Sequence, residues 1–177
     1  MSGPLTLEQI ITFLLETPMF GDLDPVELST IVSVMQLKHL REGSLVFREG
    51  DPGDAWYVLY KGTAEVLKQD GSETRTITTL GARSCFGEMA ILDGSPRSAT
   101  VRALTDCMTF RFPRDGFMSL LESDTLAAYK LVYQMALVLV ARQRQTTTRL
   151  LGVLEGSTDA EVRDGLTPIV EEFSLTE

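Results

Sequence analysis

Histidine and cysteine are nearly missing from this chain, which holds one histidine, His39, and two cysteines, Cys85 and Cys107, in 177 residues. That donor set cannot supply an ordinary three- or four-ligand zinc site, and the two thiols are expected to be free in a reducing cytoplasm. Excess positive charge is also absent: 16 lysines and arginines face 25 acidic residues, giving −9 and a pI near 4.7. Binding a phosphate backbone needs clustered cations, so a nucleic-acid surface is not expected; Arg142, Arg144 and Arg149 come nearest to a basic patch. Nor is there a long apolar run. Leu131 to Val140 extends about ten residues and is broken by Gln134, whereas a spanning helix needs ~20. No basic segment followed by an apolar stretch opens the chain, so secretion is not indicated and a cytoplasmic location is expected. P-loop, kinase and metal-hydrolase patterns are lacking too, and no enzyme is predicted.

What is present suits one ordinary domain with some elaboration, at 44% hydrophobic and 23% charged residues. Thr6-Leu7-Glu8-Gln9 forms a capping box that opens an amphipathic helix to about Thr17, ended by Pro18. Asp24-Pro25 opens a second, with Leu28, Ile31, Val32 and Met35 on one face. From Gln36 the period changes. Glycines punctuate short β-rich runs read as strands near Lys38–Arg41, Leu45–Phe47, Trp56–Lys61, Ala64–Lys68, Arg75–Leu80, Ala99–Leu104 and Met108–Phe112. The spacing predicts a small antiparallel barrel or roll. Arg114 to Glu122 reads as a short helix, and Asp124 as the cap of a longer one reaching about Leu154. Along that helix a seven-residue spacing aligns Val132, Met135, Leu139, Arg142, Thr146, Arg149 and Val153. Such a seam fits either a parallel helix pair or a face packed on its own domain. The organisation expected is an N-terminal helical segment 1–36, a β-roll 37–113, C-terminal helices 114–155 and an acidic tail 156–177 of unread role.

The stretch Cys85 to Val101, CFGEMAILDGSPRSATV, stands apart. Gly87 lets backbone approach a bound group closely, Glu88 starts a short helical run, and Arg97 offers a planar fork of donors suited to phosphate. A helix start facing an arginine makes an anion site. The alternative is a surface salt bridge between Glu88 and Arg97.

These residues resemble the phosphate-binding cassette of cyclic-nucleotide-binding domains, the module of protein kinase A regulatory subunits and of the bacterial catabolite-activator family. The family pattern FGE-[LM]-A-[LI], a variable loop, then PR-[AST]-A-x-V is matched by Phe86, Gly87, Glu88, Met89, Ala90, Ile91, Pro96, Arg97, Ser98, Ala99 and Val101 without a break. REGDPGDAWYVLYKGTAEV is similar to the family's glycine-rich hairpin, in which the aspartate before the aromatic strand shapes the roll. The fold implied is α+β: a jelly-roll-like antiparallel β-roll of about eight strands, with N-terminal helices, a cassette helix and a long C-terminal helix.

The resemblance implies a site. Arg97 pairs with the exocyclic phosphate oxygens, backbone amides at the helix start and at Ser98 and Ala99 add donors, and the Ser98 hydroxyl adds another. Glu88 accepts from the ribose 2′-hydroxyl beside the Gly87 backbone, or else braces the loop. VARQRQTTTRLLGVL resembles the catabolite-activator helix that covers the base, placing Thr147 and Thr148 on its contact positions, while the family's arginine there falls on Gln143. Three consecutive threonines also suit an ordinary helix surface. Cyclic AMP is favoured over cyclic GMP, because Ser98 stands where cyclic-GMP-dependent kinases usually carry threonine. Only about twenty residues follow Leu154, and the stretch is acidic overall, so a stand-alone module without a helix-turn-helix domain is expected. The function implied is a receptor whose ligand repositions the C-terminal helices, working as a homodimer through the long helix toward a downstream protein. A ligand-free dimerisation or interaction scaffold on the same fold is the alternative.

Overall fold

The computed structural model describes residues 5–123 and 125–156. Asp124, read as a helix cap, and the tail with its possible Thr158 and Thr167-Pro168 helix starts lie outside the described residues, as do the side chains of Arg149 and Val153.

Helix α1 spans Leu7–Leu15, and its start is the predicted box: the Gln9 N–H donates to Thr6 Oγ1 while the Thr6 N–H donates to Gln9 Oε1. It stops two residues before Thr17. Pro18 then does more than end it, opening a 3-10 turn over Pro18–Phe20 that buries Met19 and Phe20. Helix α2, Pro25–Val32, begins on a second box closed by Asp24 and Glu27.

Eight strands follow among the described residues: β1 Gln36–Leu40, β2 Leu45–Phe47, β3 Ala55–Lys61, β4 Ala64–Asp70, β5 Glu73–Leu80, β6 Cys85–Phe86, β7 Thr100–Ala103 and β8 Cys107–Pro113. They make two four-stranded sheets, ordered β1-β8-β3-β6 and β2-β7-β4-β5, with all pairings antiparallel. This is the predicted roll. Seven strands fall within two residues of their expected ends; β6 was not foreseen, because two residues carry no period.

Strand β3 is buried on both faces, so its alternation assigns two cores. Ala55, Tyr57 and Leu59 face inward with Phe86, Val101, Ala103 and Cys107. On the opposite face Trp56 stacks on Phe112 with centroids 4.2 Å apart, and meets Phe20 at 5.9 Å and Phe117 at 6.4 Å. Those partners come from β8, from the turn after α1 and from α4, Arg114–Glu122, so one indole joins three elements.

Helix α3 is short, Met89–Leu92, and α5 is long, Leu126–Gly156. Two compact units divide between Met135 and Ala136. In the first, Leu131 and Met135 are fully buried, so the seven-residue spacing from Val132 is a core spacing at Met135. Lys130 Nζ donates to both Glu27 carboxylate oxygens at 2.7 and 2.8 Å, tying α5 to α2. Among the described residues no helix is long and apolar enough to cross a membrane.

Candidate functional site

The cassette is built from short pieces. Strand β6 hangs on β3 through Tyr57↔Phe86 and Val58↔Cys85. Gly87 follows with φ of +79°, and a Cβ there would lie 2.8 Å from Arg97 Nη1 and 3.2 Å from the Phe47 ring, so glycine is needed for both conformation and space. Glu88 caps α3, its carbonyl accepting from the Ile91 and Leu92 N–H groups. Ala90 packs on Gly53, where an added Cβ would come within 2.5 Å of the alanine's own. The loop after α3 is set by the Asp93 carboxylate accepting from the Ser95 N–H at 2.9 Å.

Arg97 is then clamped by its backbone. Its N–H donates to Asp51 O at 2.8 Å, and its carbonyl accepts from the Gly50 N–H at 2.9 Å, joining the cassette to the turn before β3. The side chain turns inward, and the residue as a whole is 2% exposed. Nη1 donates to Gly87 O at 2.9 Å, and Nη2 donates to Ala55 O at 2.6 Å and Asp54 Oδ1 at 3.0 Å. The guanidinium carbon lies 4.1 Å from the Phe47 ring centroid, a cation–π contact. Nε is buried and has no hydrogen-bond partner. An arginine placed this way holds three protein acceptors and keeps an unused donor.

Glu88 is 1% exposed, so the surface salt bridge with Arg97 is excluded: neither side chain is at the surface. Phe86 is buried, stacked on Tyr57 at 5.3 Å. Met89 and Ser98 are exposed, Gly87 and Ala99 half-buried, and Ala90 buried against Gly53. The structure thus gathers Phe86, Gly87, Glu88, Met89, Ala90, Arg97, Ser98 and Ala99 into one cassette. Thr147 and Thr148 belong to the other compact unit, where their hydroxyls donate to Gln143 O at 3.1 Å and Arg144 O at 3.0 Å on their own helix.

Sequence reasoning missed the charge network behind Arg97. Asp54 bridges two arginines, taking Arg97 on Oδ1 and Arg111 on Oδ2 at 2.7 Å. Burial pushes the Asp54 carboxyl up, but the hydrogen bonds and charges of Arg111 and Arg97 outweigh it and hold the group below the usual aspartate range. Burial raises the Tyr57 phenol, with the Asp54 charge behind it. The Arg111 guanidinium is also raised: burial opposes its charge, and Asp54 and Tyr57 more than restore it. Arg111 stands opposite Tyr57 in the β3–β8 register, a relation that no local motif encodes.

This roll, with an inward arginine beside a left-handed glycine, defines a class. Residues 37–124 match the family model of the cyclic nucleotide-binding domain, and through that segment the chain belongs to this family. A cAMP-dependent protein kinase regulatory subunit of Emericella nidulans is 38% identical over 109 residues, covering 62% of this chain and 26% of that protein. The cyclic AMP receptor protein of Thermus thermophilus is 31% identical over 121 residues, 68% of this chain and 56% of its own. A solved cyclic nucleotide-binding domain from Methylobacillus flagellatus superposes with a TM-score of 0.73 at 29% identity, covering 82% of this chain and 83% of that one. The chain spans about a quarter of the kinase regulatory subunit that it matches.

Proposed function

We propose that this chain is a receptor module for cyclic nucleotides, preferring cAMP to cGMP. The carrying observation is the buried Arg97 guanidinium with its unpartnered Nε, since a buried donor left unmade is costly and a phosphate oxygen is a strong acceptor for it. In this reading Arg97, the Ser98 hydroxyl and the amides of Ser98 and Ala99 hold the phosphate. Glu88 takes the ribose 2′-hydroxyl beside Gly87. The names of the kinase regulatory subunit and the cyclic AMP receptor protein support cAMP as the ligand.

The output is a change in the C-terminal helices that a downstream protein reads. Arg114, at the start of α4, donates from Nη1 to Ala90 O at 3.0 Å, which offers a link from cassette helix to signalling helix. Ligand shifts that equilibrium only if it binds one arrangement better than the other. Homodimerisation through α5 and a cytoplasmic location complete the reading. In the first compact unit, Leu126 and Tyr133 expose 64% and 62% of their surface on that helix, an apolar face suited to a second copy.

A ligand-free scaffold is the second reading, favoured by the three protein acceptors already on Arg97. Melting curves separate the two. At about 100 times Kd a specific ligand adds about 2.7 kcal/mol of stability, so cAMP should raise Tm in wild type and not in Arg97→Ala. An unmoved wild-type Tm at millimolar cAMP and cGMP would favour the scaffold.

A further inference from the structure

Lys68 lies on β4, outside the cassette motif, yet its ammonium reaches the cassette backbone: Nζ donates to Ser98 O at 2.8 Å and to Glu49 Oε1 at 2.7 Å. Glu49 is a node in the same place. Its other carboxylate oxygen accepts from the Gln69 N–H at 3.2 Å, and its own N–H donates to Thr100 Oγ1 at 2.9 Å. The Lys68 ammonium and the Gln69 N–H together hold the Glu49 carboxyl below the usual glutamate range. Residues 97 to 100 are therefore held on both sides, Arg97 by Gly50 and Asp51, Ser98 by Lys68 and Thr100 by Glu49.

The peptide joining Ser98 to Ala99 is trans, since no cis bond occurs among the described residues, so the Ala99 N–H points opposite to the Ser98 carbonyl. Lys68 takes that carbonyl from the β4 side. A cation hydrogen-bonded to a carbonyl draws electron density through the amide, making the N–H on the far side of the same peptide a stronger donor.

From this geometry we infer that Lys68 is a positioning residue for the phosphate site, fixing the Ser98–Ala99 peptide and strengthening its N–H, with Glu49 holding the ammonium in place. The inference rests on the cyclic-nucleotide reading and adds a second cation, which acts through a peptide rather than on the ligand. It also gives the Glu49–Lys68 bridge a use, because pairs this exposed, with side chains 31% and 47% accessible, contribute little to stability alone.

The test uses the full chain in four forms, wild type, Lys68→Met, Lys68→Arg and Glu49→Gln, together with the double variant Lys68→Met/Glu49→Gln. Each is titrated calorimetrically with cAMP and with the two phosphorothioate diastereomers that replace one exocyclic oxygen or the other, and each is melted without ligand. Losing one charge-assisted contact should weaken cAMP binding about ten-fold in Lys68→Met, with Lys68→Arg recovering most of it because guanidinium also bridges a carboxylate and a carbonyl. Glu49→Gln should weaken binding less, and add little in the double variant, as expected of coupled residues. The ratio of affinities for the two diastereomers should change in Lys68→Met while its ligand-free Tm stays near wild type. Wild-type affinity and ratio in Lys68→Met would overturn the inference, and so would weakened binding with an unchanged ratio and a lowered Tm, which marks general loosening. If wild type binds none of the three nucleotides, the cyclic-nucleotide reading itself fails and the inference falls with it.

Discussion

Arg97 and Asp54 form an ion pair of unequal partners: the arginine side chain is 1% exposed, the aspartate 63%, and Nη2 lies 3.0 Å from Oδ1. The buried charge depends on an acid that is partly open to water, so its counter-charge can be tuned by pH and by mutation. Asp54→Asn should cost about 1 kcal/mol, below the roughly 1.5–3 kcal/mol of a hydrogen bond to a charged group because the exposed partner is screened. Two backbone carbonyls still hold the guanidinium in the variant.

The same pair sets a pH dependence. The folded-state pKa of Asp54 is depressed, so its contribution is complete above the ordinary aspartate value of about 4 and is lost as pH falls through the lowered one. The Tm difference between wild type and Asp54→Asn should be constant at neutral pH and close in acid below about pH 4. A difference that widens on acidification would contradict the assignment. Comparing the two proteins removes the shared acid response of Glu27, Glu49, Glu65 and Asp93, whose carboxyls are also held down.

Gly87→Ala combines two faults, a left-handed backbone and a Cβ 2.8 Å from Arg97 Nη1. The backbone penalty alone is roughly 1–2 kcal/mol. Urea unfolding should show at least that loss, and cAMP affinity should fall further because Arg97 must shift. Wild-type binding in this variant would mean that the Gly87–Arg97 contact does not matter to the ligand.

Phe117 meets Trp56 edge-on from α4 and is itself buried. Phe117→Ala should cost about 3 kcal/mol or more, the usual range for emptying a packed aromatic site. Trp56 is the lone tryptophan, so its emission follows the same transition. A cost below about 1 kcal/mol would show that α4 does not depend on this contact.

Much of this was legible in the sequence, for reasons that differ by element. Thr6-x-x-Gln9 and Asp24-Pro25 announce helix starts because a cap is a contact within four residues, and both boxes form. Helix α4 appears over Arg114–Glu122 as read, and the cassette motif places Arg97 and Gly87 side by side as its spacing implies. Other features depend on pairing across the roll. Asp54 meets Arg111 because β3 and β8 run antiparallel in one register, it meets Arg97 because the cassette is bonded to Gly50 and Asp51 in the turn before β3, and Lys68 reaches Ser98 because β4 lies beside β7. No local window holds both partners of such contacts. The aligned Val132 and Met135 show the opposite failure, a clear period that fits a dimer seam and a domain core equally, with Met135 turning out to be core.

The exposed face of α5 gives a test of self-association. Tyr133→Lys replaces a 62% exposed aromatic with a charge and leaves the buried Leu131 and Met135 alone. Light scattering should show a dimer in wild type and a shift toward monomer in the variant, with unchanged Tm at low protein concentration. A monomeric wild type would remove the α5 homodimer from the account.

The central claim is that Arg97 keeps a donor for a cyclic phosphate. Calorimetric titration of cAMP into wild type, Arg97→Lys and Arg97→Ala tests it most directly. One saturable site per chain in wild type is predicted, weakened about ten-fold or more in Arg97→Lys, which loses the planar fork, and undetectable in Arg97→Ala. Equal cAMP affinity in wild type and Arg97→Ala, with the alanine variant still folded, would contradict it.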